Sequence, residues 1–254
     1  MSGSGTAALE AAEVGLVIDG VRILDGVTLA VPPGELLAVI GPNGAGKTSV
    51  INVLSGALAP TSGTVRIGSV DVTGWAPHRR ARAGLGRTFQ TSSLFVNRTV
   101  HENLRLAAVA SRLTWRTVLR PARPSAALAR AVAEQLALVG LADRAEDPAG
   151  SLSHGDRRKL EMAMVLIQRP EVILLDEPMA GVNSEDIAGL VELIRTVHRE
   201  QQVTIVMVEH HLHVVLELAE RIAVMHEGAL LAIDTPERIV ADDTVQAAYV
   251  GEPL

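Results

Sequence analysis

Apolar positions along the chain follow two rhythms. Leu36–Ile40 and Val172–Leu175 are unbroken apolar runs of strand length, and Val203–Val208 is a further run with Thr204 as its one polar residue. Runs without alternation predict strands covered on both faces, as in the interior of a parallel sheet. Val14–Ile18 and Arg22–Val31 are short apolar runs broken by Asp19-Gly20 and Asp25-Gly26. They predict antiparallel strands, with Pro32-Pro33-Gly34 as the turn into the first buried run. Thr61–Val72 predicts a hairpin, and Arg221–His226 with Ala229–Ile233 predicts another. Helical spacing is expected over Ser49–Leu58, Val100–Ala110, Ser125–Val139 and Leu152–Gln168. Ser153 is suited to cap the last of these, with Asp156 three residues on. Ser184-Glu185-Asp186 begins a further helix with acids at its positive end, and Thr235–Val240 reads as a capped helical turn. Met1–Ala12 has small residues and no period and is expected to be a frayed tail. Gln246–Leu254 is expected to be a tail, and Gly84–Phe95 a loop. The fold class is therefore α/β: a mostly parallel sheet core, an antiparallel β subdomain and an α-helical subdomain at about residues 91–160. Residues 13–254 form one domain.

The stretch between the first buried run and the first helix carries chemistry. Gly41, Pro42, Asn43, Gly44, Ala45, Gly46, Lys47 and Thr48 satisfy G-x-x-x-x-G-K-[ST] between a strand and a helix, the context in which that pattern cradles phosphates. Glycines let backbone N–H groups approach phosphate oxygens. The helix start, with Ser49, adds orphan donors. Lys47 supplies a point charge for the β- and γ-phosphates, and the Thr48 hydroxyl is a Mg²⁺ ligand. The chain has 21 arginines and two lysines, Lys47 and Lys159, so a lysine here is a choice of a compact ammonium.

Further polar groups stand at the ends of the other buried runs. Asp176-Glu177 follows one and Glu209-His210 the other, at the strand ends where open α/β sheets bind ligands. Gln90 lies between Phe89 and Phe95, two of only five aromatics. His210, His211 and His213 come from one short segment, whereas zinc sites draw ligands from several, so no zinc is assigned.

Composition narrows the setting. The 254 residues carry a net charge of −6 and are 48% hydrophobic. This is enough for a large core, without the basic balance that nucleic acid attracts. Apolar runs fall short of the roughly 20 residues of a membrane span, and no charged leader precedes an apolar stretch. Cysteine is absent, which fits a cytosolic protein and excludes disulfides.

Taken in order, the glycine loop, Gln90, Leu152-Ser-His-Gly-Asp156, VILLDE at 172–177 and His210 resemble the ATP-binding subunit of an ATP-binding-cassette (ABC) transporter. The resemblance runs from about residue 14 to the end. GRTFQ at 86–90, PAGSL at 148–152, AGVN at 180–183, VEH at 208–210 and AYVGE at 248–252 are similar to branched-chain amino acid importer ATPases. Related urea-type importers share much of this.

The resemblance implies an ABC ATPase fold using ATP and Mg²⁺. Thr48, Gln90 and Asp176 would hold the metal, Glu177 would be the general base, and His210 would sense the γ-phosphate. It implies a head-to-tail dimer in which Ser153 and Gly155 of one cassette close over the nucleotide of a second ABC ATPase subunit, most often a different chain, with Asn183 in the crossing loop. It also implies membrane permease subunits reached through the loop of Gln90 and Phe95, a solute-binding protein, no nucleic acid, and a peripheral place on the cytoplasmic face of the cell membrane. Two departures stand out. His154, Asp156 and Arg157 replace a second glycine and glutamines of the family signature. Ile18 stands where the family stacks an aromatic on adenine, and no aromatic precedes Trp75. A soluble ABC ATPase of repair or translation would bring long coiled coils or tandem cassettes, which this chain lacks. A nucleotide switch without turnover would have no use for Glu177.

Overall fold

The computed structural model describes residues 7–88, 94–110 and 126–248. They fall into two compact units, one of Met1–Arg87, Glu171–Pro178 and Arg195–Leu254, the other of Thr88–Pro170 and Met179–Ile194.

The first unit holds two sheets. One is antiparallel, in the order β2-β1-β4-β5. Its strands are β1 (Leu9–Ile18), β2 (Val21–Val31), β4 (Ser62–Ile67) and β5 (Val70–Asp71). The other runs β10-β9-β3-β8-β7-β6, built from β3 (Leu36–Ile40), β6 (Leu85–Arg87), β7 (Val172–Asp176), β8 (Thr204–Val208), β9 (Arg221–His226) and β10 (Ala229–Asp234). All its pairings are parallel except β9 with β10. Every residue of β3, β7 and β8 is buried, as nearly continuous apolar runs covered on both faces require, with Asp176 and Thr204 as their polar members. One core joins Leu16 and Leu24 of the antiparallel sheet, Val50, Ile51 and Leu54 of helix α1 (Lys47–Ser55), and Val39, Leu174 and Val208 of the parallel sheet.

Register places the site. Val39 is level with Val208, and Val208 with Asp176. Gly41, Glu177, Glu209 and His210 therefore emerge together beyond the carboxyl ends of three adjacent strands.

Three sequence expectations are corrected. Residues 9–12 are strand, not tail. Leu9 pairs with Val31 on one side and Ile67 on the other. Glu13 has φ 51°, and the register shifts between Ala11 and Val14. The inward phase thus slips from Leu9 and Ala11 to Val14 and Leu16, which hides the period. Within the expected loop, Leu85–Arg87 forms a strand on β7. The C-terminal helix α9 (Asp243–Ala248) takes the first three residues of the expected tail.

Between β5 and β6 lies α2 (Pro77–Arg82). Its Arg80 is fully buried. Nη1 donates to the Val53 and Leu54 carbonyls at 2.6 and 2.8 Å, Nη2 to Thr73 O at 2.9 Å, and Nε to Trp75 O at 3.1 Å. It closes the carboxyl end of α1, where carbonyls lack intrahelical partners, and burial pushes its pKa below the usual arginine value. Arg80→Met should strip the guanidinium bonds from these carbonyls, leaving Val53 O with the Gly56 N–H alone, and cost about 3 kcal/mol. The expected fall in Tm is about 6–12 °C in a thermal melt; a shift of a degree or less would show that the guanidinium carries no such load.

The second unit packs α3 (Val100–Ala110), α4 (Ala126–Leu138) and α5 (His154–Leu166) on one another. It also takes the start of α6 (Ser184–Gln201), whose last turns belong to the first unit. It therefore reaches beyond the continuous 91–160 expected, because a return segment at 179–194 leaves no mark in local composition. Buried Asn103 receives the Phe95 N–H at 2.8 Å and donates to Phe95 O at 3.1 Å, fixing a loop whose Phe95 and Val96 are exposed. Two short helices, α7 (Leu212–Leu218) and α8 (Pro236–Val240), complete the first unit.

Candidate nucleotide and metal site

The glycine loop leaves β3 and enters α1 as the sequence requires. Gly41 has φ 152°, and a Cβ there would lie 2.2 Å from the Met225 carbonyl oxygen. Gly46, with φ 96°, sits at the head of α1 against Leu24 and Ile23 of β2. Only glycine meets both demands. Asn43 and Gly44 are exposed, while Pro42, Thr48 and Ser49 are half-buried and Ala45 is buried. Lys47 is buried, and its Nζ donates to the carbonyls of Gly41 at 2.6 Å and Pro42 at 2.9 Å. The ammonium is thus fixed across the loop.

Asp176 ends β7 and is 1% exposed. Burial pushes its carboxyl above the usual aspartate range, opposed by the charge and hydrogen bond of Arg87. Arg87 Nη2 lies 3.1 Å from Asp176 Oδ2, and Nη1 donates to Ser55 Oγ at 2.6 Å. Oδ1 of Asp176 is buried and has no hydrogen-bond partner among the described residues. An orphaned carboxylate oxygen in a dry site fits a hard cation, which takes oxygen ligands and would lower the carboxyl pKa again. Thr48, the second residue of α1, is half-buried. Gln90 lies outside the described residues.

Glu177 follows with φ 49°, a left-handed backbone costly for a residue with a Cβ. Its N–H donates to Val208 O at 2.9 Å. His210 Nε2 lies 3.0 Å from Glu177 Oε1. A carboxylate held by imidazole on one oxygen can accept a proton on the other.

Sequence reading named Glu209 only as a strand-end polar residue. It is 2% exposed, and its Oε1 takes the N–H of His210 at 2.8 Å, the N–H of His211 at 3.1 Å and His211 Nδ1 at 2.7 Å. It braces the turn that presents His210. Arg87 entered the sequence reading only as one letter of GRTFQ at 86–90, with no role of its own.

Ile18 is exposed at the tip of the β1–β2 hairpin, opposite Val21 and beside exposed Val17. In the second unit, Ser153 caps α5 and accepts the Asp156 N–H at 3.1 Å. The Asp156 carboxylate pairs with Arg144 at 2.8 Å and Lys159 at 3.5 Å. Gly155 lies against Asp186 of α6, whose Cβ and carboxylate would be 2.8 Å from a Cβ at that position. Among the described residues no helix is long and apolar enough to cross a membrane.

A family model described as ABC transporter matches residues 24–180. The high-affinity branched-chain amino acid transport ATP-binding protein BraF of Pseudomonas aeruginosa is 35% identical over 252 residues, covering 96% of this chain and 98% of that protein. The protein of the same description named LivG, from Escherichia coli K12, is 39% identical over 240 residues, covering 92% and 93%. Among solved structures, the ADP conformation of MJ1267, an ATP-binding cassette of an ABC transporter, superposes with a TM-score of 0.85 at 27% identity, covering 98% of this chain and all of that one.

Proposed function

This chain belongs to the ABC transporter family, and from that premise we propose that it is the ATP-hydrolysing subunit of an importer of branched-chain amino acids. The observation that carries the chemistry is the 3.0 Å contact of Glu177 with His210 beside Asp176 and the glycine loop. The substrate class rests on the description of relatives that share nearly the whole chain.

In this reading the loop from Gly41 to Ser49 binds the phosphates through backbone N–H groups and Lys47. Thr48, Asp176 and Gln90 would hold Mg²⁺, which when bound neutralises charge on the β- and γ-phosphate oxygens. Glu177 takes the proton of the attacking water while His210 fixes its other oxygen. Asp176, paired through Oδ2 with Arg87, is read as a metal ligand and not as the base. Ser153 and Gly155 of a facing cassette, contributed by a different chain, close over the same nucleotide, and Asn183 lies in the crossing loop. ATP has higher affinity for the closed pair than for the open one, and only such a difference shifts the population. Hydrolysis removes the bias, and Phe95 and its loop hand the motion to permease subunits at the cytoplasmic face, which a solute-binding protein supplies.

The test is reconstitution with permease subunits and a solute-binding protein from the same genome. ATP-driven uptake of labelled leucine, lost with the Glu177→Gln chain, is the expected result. Uptake of urea and not leucine would overturn the substrate assignment, and no nucleotide-dependent uptake of any solute would overturn the transport role.

Ile18 makes a separate prediction. A branched aliphatic side chain offers the base dispersion without the π-stacking of an aromatic ring. ATP and GTP should therefore bind within about threefold of each other in a competition titration; a tenfold preference for ATP, about 1.4 kcal/mol, would remove Ile18 from the base contact.

A further inference from the structure

Arg87 is tied at both arms of its guanidinium. One arm donates to Ser55 Oγ, the last residue of α1, and the other pairs with Oδ2 of Asp176 at the end of β7. Ser55 Oγ itself donates to Asn52 O at 3.1 Å, which leaves its lone pairs to accept from Arg87. The guanidinium is 12% exposed and the carboxylate 1%. A bond between two such groups has little water to exchange with, and a planar two-armed donor fixes direction as well as distance. The two oxygens of Asp176 are therefore unequal. Oδ2 is held by Arg87; Oδ1 is buried and has no hydrogen-bond partner among the described residues. Arg87 also spans the end of the helix that begins at the phosphate loop and the end of the strand that carries the acid.

We propose that Arg87 is a positioning residue for the nucleotide-bound cation: by anchoring Oδ2 to α1 it presents Oδ1 of Asp176 as the metal-facing oxygen, in register with Thr48 at the opposite end of the same helix. This rests on the reading of Asp176 as part of a magnesium-nucleotide site. A pair that merely held the fold would affect all binding alike. A pair that blocked the carboxylate would weaken metal binding, so its loss would strengthen it. Arg87 as a positioning group makes the third prediction: its loss weakens the cation selectively. Groups in this supporting relation to a metal ligand typically change metal affinity by about 10–100-fold when removed.

The experiment uses the full chain with ADP, and Mn²⁺ as the spectroscopic probe. Free Mn²⁺ is followed by electron paramagnetic resonance, and nucleotide affinity without metal is measured in EDTA with a fluorescent ADP. Arg87→Met should weaken nucleotide-dependent Mn²⁺ binding by about tenfold or more, while affinity for metal-free nucleotide moves by less than about twofold. Arg87→Lys, which keeps the charge but only a point donor, should recover part of the loss. It also serves if the Met variant folds poorly. Unchanged or tighter Mn²⁺ binding in both variants overturns the proposal, as does a parallel loss of metal-free nucleotide affinity. If the unaltered chain binds ADP but takes up no Mn²⁺ with it, the magnesium-nucleotide reading itself falls, an outcome distinct from a failure confined to the variants.

Discussion

Glu177→Gln should slow ATP hydrolysis by roughly a thousandfold, within the span of about 10²–10⁴ that a positioned proton acceptor contributes. The amide has the shape of the carboxylate and can still bond His210, which lies 3.0 Å from Oε1. What it lacks is the basicity to take a proton from water. Lys47, Thr48 and Asp176 are untouched, so affinity for magnesium nucleotide should change little. Binding without turnover has a second consequence. On the proposed cassette pairing, ATP binds the closed pair better than the open one, and without hydrolysis that bias persists. The variant should therefore accumulate as an ATP-dependent dimer on size exclusion, and ADP should not produce it. Phosphate release under single-turnover conditions gives the rate. A rate within a few-fold of the unaltered chain would remove Glu177 from the base role. In that event the left-handed backbone at Glu177 would lose its functional explanation.

Much of this site was legible in the sequence because its parts are local. Leu36–Ile40, Val172–Leu175 and Thr204–Val208 lie in strands buried on both faces, and the polar residues that follow them emerge at one edge because the strands are parallel and in register. Gly41 and Gly46 were readable because their backbone demands exclude a Cβ, and Ser153 because a helix cap is a short-range device. What escaped depends on partners distant in sequence. Arg87 meets Ser55 and Asp176 from a three-residue strand, too short to show a period. Arg80 reads as one more basic residue in a run of them, and only the packed fold reveals that it closes a helix across 26 and 27 positions. Leu9–Ala12 escaped for a different reason: the bulge at Glu13 changes which face points inward midway along the strand. Local chemistry is written in local order; long-range pairing and phase slips are not.

Lys47 provides the second large effect. Its ammonium makes two bonds to loop carbonyls, at 2.6 and 2.9 Å, in a place only 6% exposed. Lys47→Ala removes a charge-assisted donor from the phosphate cradle and unties the loop. At about 1.5–3 kcal/mol for a hydrogen bond to a charged group, nucleotide affinity should fall by about 10–100-fold, with hydrolysis falling further. Lys47→Arg is the sharper test. It keeps the charge, but a planar guanidinium with donors in a fixed fork replaces a compact ammonium that can address oxygens in several directions. Under close packing it cannot occupy the same point between two carbonyls. The arginine variant should therefore lose at least about half of the binding free energy lost by the alanine variant. The other lysine supplies the control. Lys159 pairs at 3.5 Å with Asp156 and is 24% exposed; partly solvated pairs of this kind contribute little, and Lys159→Arg should change nucleotide affinity by less than about twofold. If Lys47→Arg bound ATP as well as the unaltered chain, a general positive charge would suffice at the loop. The use of a lysine there, in a chain that otherwise uses arginine almost everywhere, would then need a reason other than phosphate geometry.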